Sequence, residues 1–219
     1  MRRLSPVICA YDRIYLERAQ KIMGNMLDIA VNEYGMILKE FYARFISSRC
    51  SDDFSKGDTS TVAGKTGKEL FAEVMGFDKD KEYERLRSIQ LPMNKSPEYW
   101  TGWLLTYYQW TRGVSFRTID IEIPIDRILR MYHPYHEMDI TQAVDELNRI
   151  RQQNRIESYL KLYRKQRGYT QSELSEATGI PLKTIQQYEQ RRKNINKASV
   201  ESIIVLSNIL KCSPIDLME

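Results

Sequence analysis

Apolar residues along this chain recur mostly at three- and four-residue steps, the period of helices with one buried face. Ile14, Ile22, Met26, Ile29 and Ala30 give a helix over 12–31 an inward stripe, and Gly35 ends it. A second helix over 36–47 turns Ile37, Phe41, Phe45 and Ile46 inward. The polar stretch 51–69 predicts a loop, with Thr66 capping a short helix over 67–75. Residues 76–96 are charged and then turn-like. Ser96-Pro97-Glu98 is a helix start, with Ser as cap, Pro in the first position and an acid in the first turn. That helix, to Arg112, carries Tyr99, Trp100, Trp103, Tyr107, Tyr108 and Trp110. It is the most aromatic segment and predicts a core helix or a binding groove. Ile119, Ile121, Ile123 and Ile125 alternate with polar residues and Pro124, which predicts an extended linker without a partner strand. From Asp139 a further helix turns Ala143, Val144, Leu147 and Ile150 inward.

The polar run 151–155 marks a domain boundary, giving a helical domain over 1–153 and a second over 154–219. No Pro or Gly separates them, so the helix is expected to reach or nearly reach the second domain and couple the two. Beyond the boundary Ile156, Leu160 and Tyr163 line one helix, which Gly168 ends. Thr170-Gln-Ser-Glu173 is a capping box opening the next helix, with Leu174 and Ala177 inward. Gly179 supplies a left-handed turn. Ile180, Ile185 and Tyr188 give the following helix its apolar face, while Lys183, Thr184, Gln186 and Gln187 face out. A last long helix over 198–210 buries Val200, Ile203, Leu206 and Leu210, and Leu217 closes the core after Ser213-Pro214. Helix, glycine turn and a second helix with donors outward form a helix-turn-helix.

These residues resemble the lambda-repressor-like (XRE) DNA-binding domains over roughly 155–219. The shared pattern is Gly168-Tyr169-Thr170-Gln171, Glu173-Leu174, Gly179, Thr184-Ile185 and Tyr188-Glu189, then a helix ending at 206–210 and Cys212-Ser213-Pro214. The chain departs from it at Ser175, where the family has Ala, at Pro181, where it has a Ser or Thr cap, and at Arg191, where Gly is frequent. With the helical pattern of the first domain this makes an all-α protein, and the resemblance implies that it ends in a five-helix domain whose recognition helix at about 182–190 enters a major groove. Leu182, Lys183, Gln186 and Gln187 would face bases: Lys toward guanine, Gln toward adenine, Leu toward a thymine methyl. Gln171 would brace the interface on a phosphate, and Thr184, Arg191, Arg192, Lys193 and Asn194 would hold the backbone. Family members bind pseudo-palindromic operators as dimers, which implies a homodimer.

Charge adds to this picture. The 219 residues carry 33 Lys and Arg against 29 Asp and Glu, and from Arg155 onward the counts are 11 and 7. The preceding residues are neutral, so the basic excess lies wholly in the domain expected to meet phosphates. The three scattered cysteines fit a reducing cytoplasm, and no apolar run is long enough for a membrane span or a secretory signal. Two other motifs carry little. Gly64-Lys65-Thr66 ends like a phosphate-binding loop but lacks the glycine five residues earlier and the leading strand. His133 and His136, near Glu137 and Asp139, lack the remaining zinc ligands and mark a helix boundary. No enzyme, metal or cofactor is expected.

The expected function is a sequence-specific transcriptional regulator that represses and acts on its own gene. Its first domain would sense a small molecule or dimerise. The alternative is an antitoxin-like protein whose first domain binds a co-encoded toxin while the second represses the shared promoter. A nucleotide-dependent enzyme around Lys65 is the third reading.

Overall fold

The computed structural model describes residues 9–77, 81–154 and 157–218. The inward position assigned to Ile156 lies outside them. Among the described residues the secondary structure is helical, with no strand. The chain divides into two compact units, Met1–Gln152 and Gln153–Glu219.

In the first unit, α1 (Leu16–Asp28) follows a 3-10 turn over Arg13–Tyr15 and continues into a π-helical turn over Ile29–Glu33. Then come α2 (Leu38–Ile46), α3 (Arg49–Ser55), α4 (Thr59–Val62), α5 (Gly67–Met75) and α6 (Lys81–Ser88). The unit is completed by α7 (Pro97–Arg112), α8 (Phe116–Glu122), α9 (Ile125–Arg130), α10 (Tyr132–Tyr135) and α11 (Ile140–Asn154). Local chemistry sets several of these ends as the pattern predicts. Ser96 Oγ accepts from the Tyr99 amide at 3.0 Å to start α7, and Gly113, at φ +61, stops it. Thr66 and Glu69 close a capping box on α5.

α7 packs along α1 at a crossing of two glycines. A Cβ on Gly102 would lie 2.8 Å from the Met23 carbonyl oxygen and 2.9 Å from Gly24 Cα. Only bare backbone permits so close an approach. Around this pair Met23, Met26, Leu27, Phe41, Phe45, Phe54, Phe71, Leu104, Leu105, Phe116 and Leu147 are fully buried in one cluster. Glu122 is buried with them, held by Arg112 and by Arg151 Nε at 2.9 Å. Asp28, also buried, accepts from Asn32 and from the hydroxyl of Ser96, pinning the start of α7 to the end of α1.

Several expectations need correction. Ile14 is 77% exposed, because it sits in the 3-10 turn before the regular helix begins. Ile37 is exposed because it is the extended residue before α2 rather than part of the helix. The loop expected over 51–69 contains most of α3 and all of α4, whose few apolar side chains, Phe54 and Val62, are nonetheless fully buried. The alternating isoleucines form no extended linker. Ile119 and Ile123, four residues apart, are buried one turn from each other along α8 and its end. His133 and His136 do fall at a helix boundary, as the pattern predicts: α10 is a single turn between α9 and α11, short enough to hold Pro134.

The second unit comprises α12 (Tyr159–Gln166), α13 (Gln171–Thr178), α14 (Leu182–Glu189) and α15 (Val200–Leu210), with 3-10 turns over Ile195–Lys197 and Pro214–Leu217. Its core is Tyr159, Leu160, Tyr163, Leu174, Ile185, Leu206, Leu210 and Leu217. Two inward assignments fail here. Val200 is 75% exposed at the first residue of α15, and Ala177 faces solvent beyond the reach of the core.

Candidate nucleic-acid interface

The site is a short helix, α14, presented by α13 and a three-residue turn. Thr170 Oγ1 accepts from the Glu173 amide at 3.1 Å, and Glu173 Oε2 accepts in return from the Thr170 amide at 2.7 Å. These bonds hold the Glu173 carboxyl below its usual range, the backbone bond from Thr170 being the main cause. Gly179, at φ +69, ends α13. The turn is then fastened by two hydroxyls. Ser175 Oγ donates to the Ile180 carbonyl at 2.7 Å, and Thr178 Oγ1 accepts from the Ile180 amide at 3.3 Å. The departure from Ala to Ser at 175 therefore adds a brace across the turn.

Pro181 precedes α14 in an extended conformation and offers no side-chain cap. The helix starts cleanly at Leu182 all the same, because the Pro181 carbonyl receives the amides of Thr184 and Ile185 at 2.8 and 3.2 Å. Ile185, Tyr188 and Glu189 face inward. Leu182 and Lys183 stand exposed at the leading end, and Thr184, Gln186 and Gln187 are half-buried along the flank. Leu182, an apolar side chain, is 38% exposed.

What holds α14 in place is a buried ion pair that sequence reasoning did not find. Arg164 Nε reaches Glu189 Oε1 at 2.5 Å and its second nitrogen reaches Oε2 at 2.9 Å. The third guanidinium nitrogen donates to the Tyr169 carbonyl at 2.7 Å. The hydrogen bond to Glu189 pushes Arg164 above its ordinary pKa. Gln171 Nε2 also donates to Glu189 Oε2, at 2.7 Å. One carboxylate thus links α12, α13 and α14. In the sequence Glu189 is visible only as one position of a family pattern, and nothing in helical period tells a buried carboxylate from an exposed one. The signal is Arg164, a cation on the inward side of α12, one turn after Leu160 and next to Tyr163.

Past α14 the chain turns left-handed at Arg191, φ +55, the conformation that makes glycine frequent there. The Arg191 guanidinium donates to the Glu157 carbonyl at 2.8 Å. Lys193 Nζ lies 5.4 Å from the Tyr188 ring centre, a cation–π distance. Arg192 and Asn194 are exposed, and Asn194 Oδ1 caps the following 3-10 turn by accepting from the Asn196 amide at 2.9 Å. Leu182, Lys183, Thr184, Gln186 and Gln187 thus share one helix, and Arg191, Arg192, Lys193 and Asn194 form the loop behind it. Gln171 sits at the leading end of α13, bonded to the helix it precedes.

The other candidate groups lie in the first unit. Lys65 is ion-paired with Glu73 and so already has an anion. His136 stacks on the Tyr132 ring at 4.4 Å. Among the described residues no group of three His, Cys, Asp or Glu side chains is placed to hold a metal, and no helix is long and apolar enough to cross a membrane.

A family described as Helix-turn-helix matches residues 160–217. No curated protein and no solved structure gives a match.

Proposed function

We propose, from a chain whose residues 160–217 are an XRE-type helix-turn-helix domain and which is therefore a DNA-binding transcription regulator, that it is a sequence-specific repressor acting on its own promoter. The observation that carries this reading is the division of α14 into a face that the fold uses and a face that it leaves free. Lys183, Gln186 and Gln187 bring donors suited to purine edges, and Leu182 brings an apolar tip suited to a thymine methyl. Thr184, Arg192, Lys193 and Asn194 set the register on phosphates. Arg191 joins them through its backbone geometry, while its guanidinium ties the loop to Glu157. Gln171 braces the interface on a phosphate, a role supported by its bond to Glu189, which keeps α14 aligned. The protein works as a cytoplasmic homodimer on a pseudo-palindromic operator and catalyses no reaction.

The test is fluorescence anisotropy of the intact protein on a labelled duplex from upstream of its own gene, with unrelated DNA as competitor. Binding should survive the competitor and fall about 100-fold or more in Lys183→Ala/Gln187→Ala, since two base-reading side chains are truncated together. Equal binding to both DNAs, unchanged in the double variant, would sink the reading.

A second reading, an antitoxin-like regulator with a co-encoded protein partner, draws on Ile14 and Ile37, large apolar side chains left exposed on the first unit. It predicts stable co-purification with a neighbouring gene product, abolished in Ile14→Asp/Ile37→Asp.

A further inference from the structure

The first unit contains a cleft that DNA reading does not use and whose walls are aromatic. It has a volume of about 280 Å³ and lies between α7, the segment just before it, α10 and the start of α11. Trp100, Trp103, Tyr132 and Tyr135 line it. Trp100 meets Tyr132 edge-on with ring centres 5.8 Å apart, and His136, which also lines the cleft, stacks on the Tyr132 ring. His136 Nδ1 is 3.0 Å from the Tyr132 carbonyl, which fixes the ring against its own helix. The rings therefore support one another before any ligand arrives, and little side-chain freedom remains to be lost on binding.

At the mouth stands Lys95. Its ammonium lies 4.3 Å above the Tyr99 ring, is otherwise exposed, and has no acidic partner among the described residues. An ammonium already placed on an aromatic face repels a cationic ligand. An unpaired cation beside an apolar slot instead favours a ligand with an apolar body and an anionic end. The volume, at the lower end of small-molecule sites, limits that body to one ring or a fused pair.

We propose that this cleft binds a small aromatic carboxylate, its ring among Trp100, Trp103 and Tyr132 and its carboxylate on Lys95. Ile140 and Ala143, on the first turn of α11, also line the cleft, and α11 extends to Asn154, beyond the end of the first unit at Gln152. A ligand here touches the helix that leads into the DNA-binding unit. The cleft is thus an effector site, an assignment that rests on the regulator reading above.

The experiment is calorimetric titration of the intact protein, without DNA, using phenylacetate and its uncharged isostere phenylacetamide as probes. One site per chain is expected for phenylacetate, with a Kd on the order of 0.1–1 mM for a ligand of so few atoms. The amide should bind about 10-fold more weakly, which is one charge-assisted bond removed. Lys95→Met should bring the acid to the level of the amide and leave the amide unchanged. Trp103→Leu, checked by circular dichroism for an intact fold, should weaken both. Absence of saturable binding by either probe overturns the site. Equal binding of acid and amide, indifferent to Lys95→Met, overturns the carboxylate assignment. Because no DNA is present, failure here leaves the repressor reading standing, and failure of operator binding leaves the cleft standing.

Discussion

At the scale of single residues, the Arg164–Glu189 pair decides whether the recognition helix is held. Both side chains are buried, so removing one leaves the other charged in a place with little solvent. Arg164→Met is expected to cost about 3–5 kcal/mol, a large share of what a unit of this size has. Urea denaturation of the intact protein measures it. Arg164→Met/Glu189→Leu should recover part of the loss, since the unpaired charge is then gone. Glu173 gives a smaller, pH-dependent contribution. Its carboxyl is depressed in the folded state, so the stabilisation is present above the unfolded pKa and lost as pH falls through the folded one. Melting between about pH 6 and about pH 3, spanning the usual glutamate value, should show a smaller drop in Glu173→Gln than in the parent protein. This capping box is legible as Thr170-Gln-Ser-Glu173, because its chemistry is local. The ion pair is not, because its partners are 25 residues apart and only the folded chain makes them neighbours.

At the scale of elements, starts and stops are easier to find in the sequence than burial. Thr66, Ser96 and Thr170 all cap where their side-chain chemistry indicates. Helical period, by contrast, says which residues share a face but not how far the core extends along it. Ile14 and Val200 lie at the first turns of their segments, where the stripe has run past the core, and both are exposed. α3, α4 and α8 escape because each is too short to show a period, and four isoleucines at alternate positions imitate a strand. The Gly24–Gly102 crossing is equally silent, since a glycine inside a helix ordinarily only weakens it. Here it sets the spacing of α1 and α7. Gly102→Ala forces a methyl against backbone and is expected to destabilise the first unit by about 1–3 kcal/mol, read as a lower midpoint in thermal or urea unfolding.

At the scale of the whole molecule, the basic excess is confined to the segment from Arg155 onward, so DNA affinity should depend steeply on salt. Replacing Arg192 or Lys193 by Ala should lower the slope of log K against log salt by about 1, with nearly equal effect on operator and unrelated DNA. Anisotropy titrations over a salt series measure this, and a loss confined to operator DNA would show that these residues read bases. The side chains of α14 that support the fold, Ile185, Tyr188 and Glu189, are not those that face outward. Lys183, Gln186 and Gln187 are thus free to vary without threatening the domain that carries them. On the proposed reading, divergence can rewrite the operator by changing a few surface letters, and an engineer can retarget the protein by the same exchange, with melting temperature as the control that should stay still.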